Sequence, residues 1–493
     1  MTNTSLNCES IDFKTLEKII FDFVCSIGRM MFRWALTSLD RELMKSRDKK
    51  VYRHKGKKKT CIKTLLGPVE FEKIIYEHEN VDGQKEYVFL LDRYLKLETI
   101  GFMSPNLVEK VVENASNVSY RKAAENVTEL TGQGISHGAV WNIVQELGRR
   151  ISKSEKEKVT EYKSGELCGE KEVKVLFEEA DGLWLSMQKE DRSKQGKAKK
   201  KEIKLAVTYE GWERRNGKAE AYEVRNKRVT AGFMGSEEFK ELRDAKISEK
   251  YDIDNLQYRI VNGDGASWIK NGLDQKGCIF QLDPFHISKA VLRQVYDKKE
   301  AGKVLRMLKA GQITEALQRI HELKYECGGE ADKVKKLVEL EEYLSNNRES
   351  LLPYKMRENI NLPEPPEGLQ YRSLGTMEHN IFDVLGHRMK GRKMSWSIKG
   401  ADNLSKILAS KASGELYETI SAMLAPVISE RLIDRFNEVI KRVSEKIERP
   451  SRSNKQYAIH HASIPFTGCA LTEGRRAIRN IFKEKAATEL VYR

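Results

Sequence analysis

Apolar side chains recur at helical spacing through residues 12–45, at Leu16, Ile19, Ile20, Phe23, Val24, Ile27, Met31, Trp34 and Leu39. This period predicts one amphipathic helix or two, with the apolar side serving a core or a dimer face. The basic run SRDKKVYRHKGKKKT, residues 46–60, reads as a solvated linker, with DNA phosphate contact as the sharper alternative. Short strands are then expected in CIKTLLGPVEFEKIIYEH and EYVFLLDRYL, separated by the turn NVDGQK. Three short helices follow in 104–150, punctuated by Ser104-Pro105, Ser119 and Ser136 as N-caps and by Gly132 and Gly134 in a tight turn. Their inward positions are Leu107, Val108, Val111 and Val112, then Ala123, Ala124 and Val127, then Val140, Trp141, Val144 and Leu147. Small residues where the last two helices cross describe a helix-turn-helix. The polar face of the third helix offers His137, Asn142, Gln145 and Arg149, side chains able to reach base edges and phosphates.

Residues 151–170 are charged and predict a linker. At 171 the period shortens. VKVLFEEADGLWLSMQ, broken by Asp181-Gly182, predicts a hairpin or two successive strands, and IKLAVTYEGW a further one. A helix in EEFKELRDAKISEKY is followed by a strand ending at Asp264 and another ending at Asp283, each feeding a helix. Residues 285–360 are helical and charged until the three prolines of NLPEPPEGLQ stop them. Helix, basic loop and helix resume around Glu378, and further helices fill 412–448 before a basic tail.

At 493 residues the chain exceeds a single ordinary core, and roughly three domains are expected. Lys and Arg total 88 against 73 acidic residues, a formal charge of +15 that suits a polyanionic partner. No apolar run long enough to span a bilayer and no secretory leader is visible, so a cytoplasmic chain without membrane contact is expected. Seven cysteines stand singly at 8, 25, 61, 168, 278, 327 and 469, which excludes a disulfide scaffold and zinc-site spacing.

The chemistry lies in the acids. A carboxylate in or at the end of an apolar strand is costly unless it has a role. Asp181 and Asp264 both stand so, and a third acid, Glu378, opens a later helix; they lie 83 (264 − 181) and 114 (378 − 264) residues apart. Carboxylates meeting across one sheet edge need a divalent cation, and three suit two hard ions in an in-line attack on phosphorus. Alone, each acid also fits a hairpin turn or a helix-dipole partner. No P-loop, H-E-x-x-H or G-x-S-x-G is present.

EADGLWLSMQ around Asp181, VNGDGASWIK around Asp264, LDPFHISK around Asp283 and His286, and SLGTMEHNIFDVLGHRMKGRKMSWSIKGADNL around Glu378 together resemble the ISLre-type insertion-sequence transposases of Gram-positive bacteria, which have an RNase H-like DDE catalytic domain. The likeness extends to SYRKAAENVTELTGQGISHGAVWNIV. It implies a catalytic and metal-binding triad of Asp181, Asp264 and Glu378 that holds two divalent ions, Mg2+ or Mn2+. Asp283 and His286 are expected to support that triad from behind. Arg388, Lys390, Arg392 and Lys393 are expected on phosphates, and Trp396 stacked on a distorted DNA end or packed on a helix. The implied architecture is multidomain α+β/α. It comprises an N-terminal helix and small β-element (1–100), a helix-turn-helix DNA-binding domain (101–150) and an RNase H-like α/β core (171–284 and 371–411). An all-α insertion (285–370) interrupts the core, and a helical C-terminal region with a basic tail (412–493) closes the chain. The implied partners are double-stranded DNA, as terminal inverted repeats and target, and further copies of the chain, at least a dimer on DNA. Localisation would be bacterial cytoplasm, on the nucleoid. A metal-dependent nuclease without strand joining and a helix-turn-helix regulator with an inert core are the competing expectations.

Overall fold

The structure is a computed structural model describing residues 12–79, 83–96, 102–188, 191, 199–215, 221–273, 277–391 and 393–424, with isolated positions beyond. Helix α1 (Phe13–Ser46) starts at Asp12, whose carboxylate accepts the Thr15 amide at 2.6 Å, and runs unbroken for 34 residues. Its C-terminal half buries Leu36, Leu39 and Asp40 against a three-stranded antiparallel sheet, β1 (Arg53–Thr64), β2 (Gly67–Glu79) and β3 (Lys85–Val88). Asp40 accepts the Ile74 amide at 2.8 Å across this contact. The basic run expected as a linker is therefore largely strand: backbone pairing with β2 holds it, while Lys57, Lys58 and Lys59 stay in solvent. In EYVFLLDRYL only the first residues are strand, and helix α2 (Leu90–Leu95) takes the rest.

Helices α3 (Pro105–Asn117), α4 (Tyr120–Thr131) and α5 (His137–Ser164) begin where the serines predict. Ser104, Ser119 and Ser136 accept the amides of Leu107, Lys122 and Ala139 at 3.3, 3.3 and 3.1 Å. Gly132 ends α4 at φ +63°, a conformation glycine adopts without strain. Two corrections follow. Trp141, expected inward, is 48% exposed. Residues 151–164, expected as linker, continue α5. Some of their charges pair with neighbouring elements: buried Glu155 lies 2.7 Å from both Lys246 and Lys406, and Lys163 lies 2.5 Å from Glu241.

Beyond α5 come β4 (Lys171–Glu172), β5 (Val175–Ser186), β6 (Lys200–Tyr209), β7 (Trp212–Arg214), β8 (Tyr222–Val224), β9 (Arg228–Gly232) and α6 (Ser236–Ser248). They are followed by β10 (Tyr251–Asp252), β11 (Tyr258–Gly263), α7 (Ser267–Lys270), β12 (Cys278–Leu282) and α8 (Pro284–Gln294). Five of these strands form the central sheet in the order β12-β11-β5-β6-β9. β5, β11 and β12 are parallel; β6 runs antiparallel to β5 and to β9. Asp181-Gly182 is no turn. It lies within the continuous strand β5, Asp181 opposite Leu205 and Gly182 opposite Lys204.

The chain then leaves the sheet through α9 (Lys298–Lys309), α10 (Ile313–Glu326), α11 (Ala331–Asn346) and α12 (Arg348–Leu351). Together with α8, these helices bury Val291, Val304, Ile320, Leu337, Leu340 and Leu344 in a core of their own. NLPEPPEG returns without helix to β13 (Leu369–Gln370), which pairs with β7. Then follow α13 (Met377–Ile381), a π-turn (Phe382–Gly386), α14 (His387–Met389), α15 (Ile398–Ala412) and α16 (Leu416–Leu424). Ala401, Leu404 and Ile407 of α15 share one core with Ile143, Leu147 and Ile151 of α5 and with the sheet. The fold is thus mixed helix and strand. These elements belong to one compact unit, Met1–Pro426; of the second unit, Val427–Arg493, only isolated positions are described. The expected helices after 424 and the basic tail fall outside the described residues.

Candidate active-site cleft

Gly263 is the register partner of Ala180, so Asp181 and Asp264 stand side by side on neighbouring parallel strands. Asp181 Oδ1 accepts the Gly182 amide at 2.7 Å, and Asp264 Oδ1 accepts the Ala266 amide at 2.9 Å. Asp283 ends β12 and caps α8, accepting the Phe285 amide at 3.0 Å; burial pushes its carboxyl up. The cap starts the helix that carries His286 one turn in. His286 Nε2 points at Asp181 Oδ2 from 3.5 Å, too far for a good hydrogen bond, and finds no other partner among the described residues. Contact with Asp181 raises the His286 pKa, prevailing over burial, and the charges of Asp283 and Asp264 add to the rise.

Glu378, on the first turn of α13, completes the group. One ligand atom each from Asp181, His286 and Glu378 all lie within 4.8 Å of one another. Two carboxylate oxygens and an imidazole nitrogen that spans to neither suit a divalent cation of intermediate hardness. The residues present therefore fit a metal. They line an open cleft of about 390 Å³ together with Asp264, Glu202, Trp184, Phe382, Lys289 and Lys390.

Two carboxylates here escape a reading of the sequence. Glu202, on β6, folds its side chain over Gly182, where a Cβ would meet Glu202 Oε1 at 1.9 Å. Burial raises the Glu202 pKa, and the negative charge of Asp264 raises it further. Glu179 lies on the Asp181 face of β5 and is fully buried. It accepts Thr376 Oγ1 at 2.6 Å and the Gly375 and Thr376 amides at 3.0 Å, as well as Tyr209 Oη at 2.5 Å and Asn262 Nδ2 at 3.0 Å. The segment it grips ends two residues before Glu378, so Glu179 ties the returning chain to the strand of Asp181. The signal was available: a second carboxylate inside an apolar strand run, EEAD. Its neighbour Glu178 faces the other way, into Arg243 and Arg259 at 3.1 and 2.6 Å.

The remaining candidates divide. His137 and Asn142 are exposed on α5, beside Trp141. Gln145 is turned inward and accepts Asn403 Nδ2 at 2.7 Å. Arg149 is exposed, but both arms of its guanidinium grip Glu146, at 3.0 and 2.7 Å. Arg388, expected on phosphate, is buried instead: it donates to Ala115 O at 2.7 Å and lies over the Tyr120 and Trp396 rings. Trp396 is a packing residue; its indole donates to Met389 O at 2.9 Å and its backbone pairs with Ser186 and Gln188. Lys390 and Lys393 are exposed, and Arg392 lies outside the described residues. The five described cysteines are all free. No helix among the described residues is long and apolar enough to cross a membrane.

Fold and cleft define a mixed α/β protein with a carboxylate–histidine cluster beside the ends of parallel strands. The profile described as "Uncharacterised protein family (UPF0236)" matches residues 6–423, and the chain belongs to that family. A UPF0236 protein of Caldanaerobacter subterraneus subsp. tengcongensis, whose name spans eleven loci, is 27% identical over 80% of this chain and 76% of its own length. Another from the same organism, named for four loci, is 26% identical over 80% of this chain and 76% of its own. A UPF0236 protein in the vanSb 3′ region of Streptococcus gallolyticus is 24% identical over 82% of each chain.

Proposed function

We propose that this chain is a DNA transposase that binds the ends of its own element and cuts and joins them with an RNase H-like core. One observation carries the reading: Asp181, His286 and Glu378, from three distant stretches of chain, bring ligand atoms within 4.8 Å, with Asp264 on the adjoining strand. The sheet supports it. The first acid sits on a central strand with the antiparallel strands β6 and β9 on one side and two parallel strands on the other, the arrangement an RNase H-like core needs for its acids to meet. The relative named for eleven loci of one genome fits a gene that copies or moves.

Divalent cations held by Asp181, Glu378 and His286, with Asp264 alongside, would supply Lewis acidity for attack on a phosphodiester. The chain's own groups do the rest. Lys289 and Lys390 offer positive charge to flanking phosphates, and the exposed rings of Trp184 and Phe382 offer stacking surface to a distorted DNA end. Helices α4 and α5, read as a helix-turn-helix, present His137, Trp141 and Asn142 to DNA.

The test is cleavage and strand transfer on DNA carrying the element's ends, with Mg2+ or Mn2+. Asp181→Asn, Asp264→Asn and Glu378→Gln should each abolish cleavage and leave end binding within a few-fold. Cleavage without joining in the unsubstituted chain would make it a nuclease. End binding with no cleavage in either metal would make it a regulator.

A further inference from the structure

Helix α1 carries a second pattern beneath its general amphipathicity. Phe13, Leu16, Ile20, Phe23, Ile27, Met30 and Trp34 follow one another at steps of 3, 4, 3, 4, 3 and 4. Such alternation keeps apolar side chains on one line only if the helix supercoils around another helix. All seven are exposed, from 38% at Ile27 to 81% at Phe13. At 100° per residue their line runs opposite the face that carries Arg29, Leu36 and Asp40. That opposite face is the one held by the rest of the chain: Arg29 donates to Leu66 O at 2.8 Å, and Leu36 and Asp40 are buried. The ladder stops at Trp34, just before the helix reaches its sheet; the next positions in step are Thr37 and Arg41. Among the described residues nothing covers the seam.

We infer that the seam pairs with α1 of a second copy of this chain, antiparallel. Covering the six side chains from Phe13 to Met30 would remove about 600 Å² from water per copy, or about 1,200 Å² per pair, the lower end of the range of a stable interface. Orientation follows from what the seam would bring together. Antiparallel, Phe13 meets Met30, Leu16 meets Ile27 and Ile20 meets Phe23, so aromatic rings stack on aliphatic chains in layers of similar volume. Arg33 of one helix then flanks Asp12 of the other. Parallel pairing would instead set Phe13 on Phe13 and Phe23 on Phe23, and bring Asp12 beside Glu17 of the opposite copy. Ile19 and Val24, 50% and 57% exposed, widen the seam on either side.

The test needs no DNA and is independent of the cleft. The full chain at about 10 μM, a concentration well above the Kd of a standard-size interface, should show twice the 56.7 kDa mass in sedimentation. The Ile20→Glu/Phe23→Glu variant should run as a monomer, with unchanged melting temperature and helix content beyond residue 34. Mixing a Leu16→Cys chain with an Ile27→Cys chain should give the mixed disulfide by peptide mass. A monomeric wild type, a dimer untouched by the double substitution, or a disulfide between two Leu16→Cys chains in place of the mixed one would overturn the proposal. So would a cross-link from α1 to residues 427–493 of the same chain.

Discussion

Glu179 shows how much a buried carboxylate does when every lone pair is used. Five donors from β6, β11 and the loop before α13 converge on it, and it stands two residues from Asp181 on the same side of β5. Glu179→Gln turns an amide N–H₂ toward groups that are themselves donors. Leaving such donors buried and unpaired costs about 1–3 kcal/mol, and freeing α13 misplaces Glu378. Glu179→Gln should therefore cut cleavage at least about tenfold, since each 1.36 kcal/mol is a factor of ten, while DNA binding stays near that of the parent. Cleavage at the parental rate would show that the clamp does not position Glu378. The same strand marks the limit of what sequence reveals about the site. Asp181 and Asp264 stood out as candidates because they interrupt apolar runs, and Glu378 through the resemblance of the motif around it. Glu202 did not stand out, and Glu179, though visible in EEAD, could not be assigned, because residue type does not state which way a side chain points. Arg388 failed for the same reason: in a basic run it looks solvated, yet the carbonyl of Ala115 and two rings enclose it.

Among the elements, α5 links helices α3 and α4 to the sheet. Its length was hidden because KSEKEKVTEYKS has the composition of a linker, and only the facing charges on α6 and α15 make it a packed helix. Gly148 is the closest approach: a Cβ there would meet Asn403 O of α15 at 2.4 Å. Gly148→Ala gains about 1 kcal/mol of helix propensity but meets backbone, and overpacking costs about 1–3 kcal/mol or more. A lowered melting temperature is expected; a raised one would mean that the two helices part freely. The ion cluster on the same helix sets a pH dependence. Burial would raise the Glu155 carboxyl, but Lys246 and Lys406 outweigh it and hold its pKa at about 2. A depressed folded-state pKa adds stability above the ordinary value near 4.5, and this is lost as pH falls from there toward 2. Glu155→Gln, which strands the buried ammonium of Lys406 and the partly buried one of Lys246, should be less stable than the parent at pH 7, by a few kcal/mol. The gap in melting temperature should close between pH 4.5 and 2; a constant gap across that window would remove Glu155 from the acid transition. The serine-capped starts of α3, α4 and α5 were, by contrast, fully legible, since a cap acts over three residues and needs no distant partner.

For the whole molecule, the formal charge of +15 belongs to a chain that nonetheless brings four carboxylates, Asp181, Glu202, Asp264 and Glu378, into one cleft. On the proposed function, binding to DNA should weaken steeply with salt, as each phosphate contact releases a counterion. Trp141→Ala should weaken binding at every salt concentration while leaving the slope of log K against log salt unchanged, because an exposed ring contributes contact area without charge. A changed slope would mean that the substitution disturbs nearby phosphate contacts.

The helical lobe α9–α12 also has a consequence in time. It has its own core and lies between the strands that carry Asp181 and Asp264 and the helix that carries Glu378. During synthesis the sheet can close as soon as β12 has emerged, but 95 residues (378 − 283) still separate it from the last acid. At about 5–20 residues per second, roughly 5–20 s pass before Glu378 is made. Throughout that interval a sheet that has closed would hold a candidate metal site one carboxylate short. On the proposed function, a chain abandoned midway by the ribosome could grip DNA but not cut it.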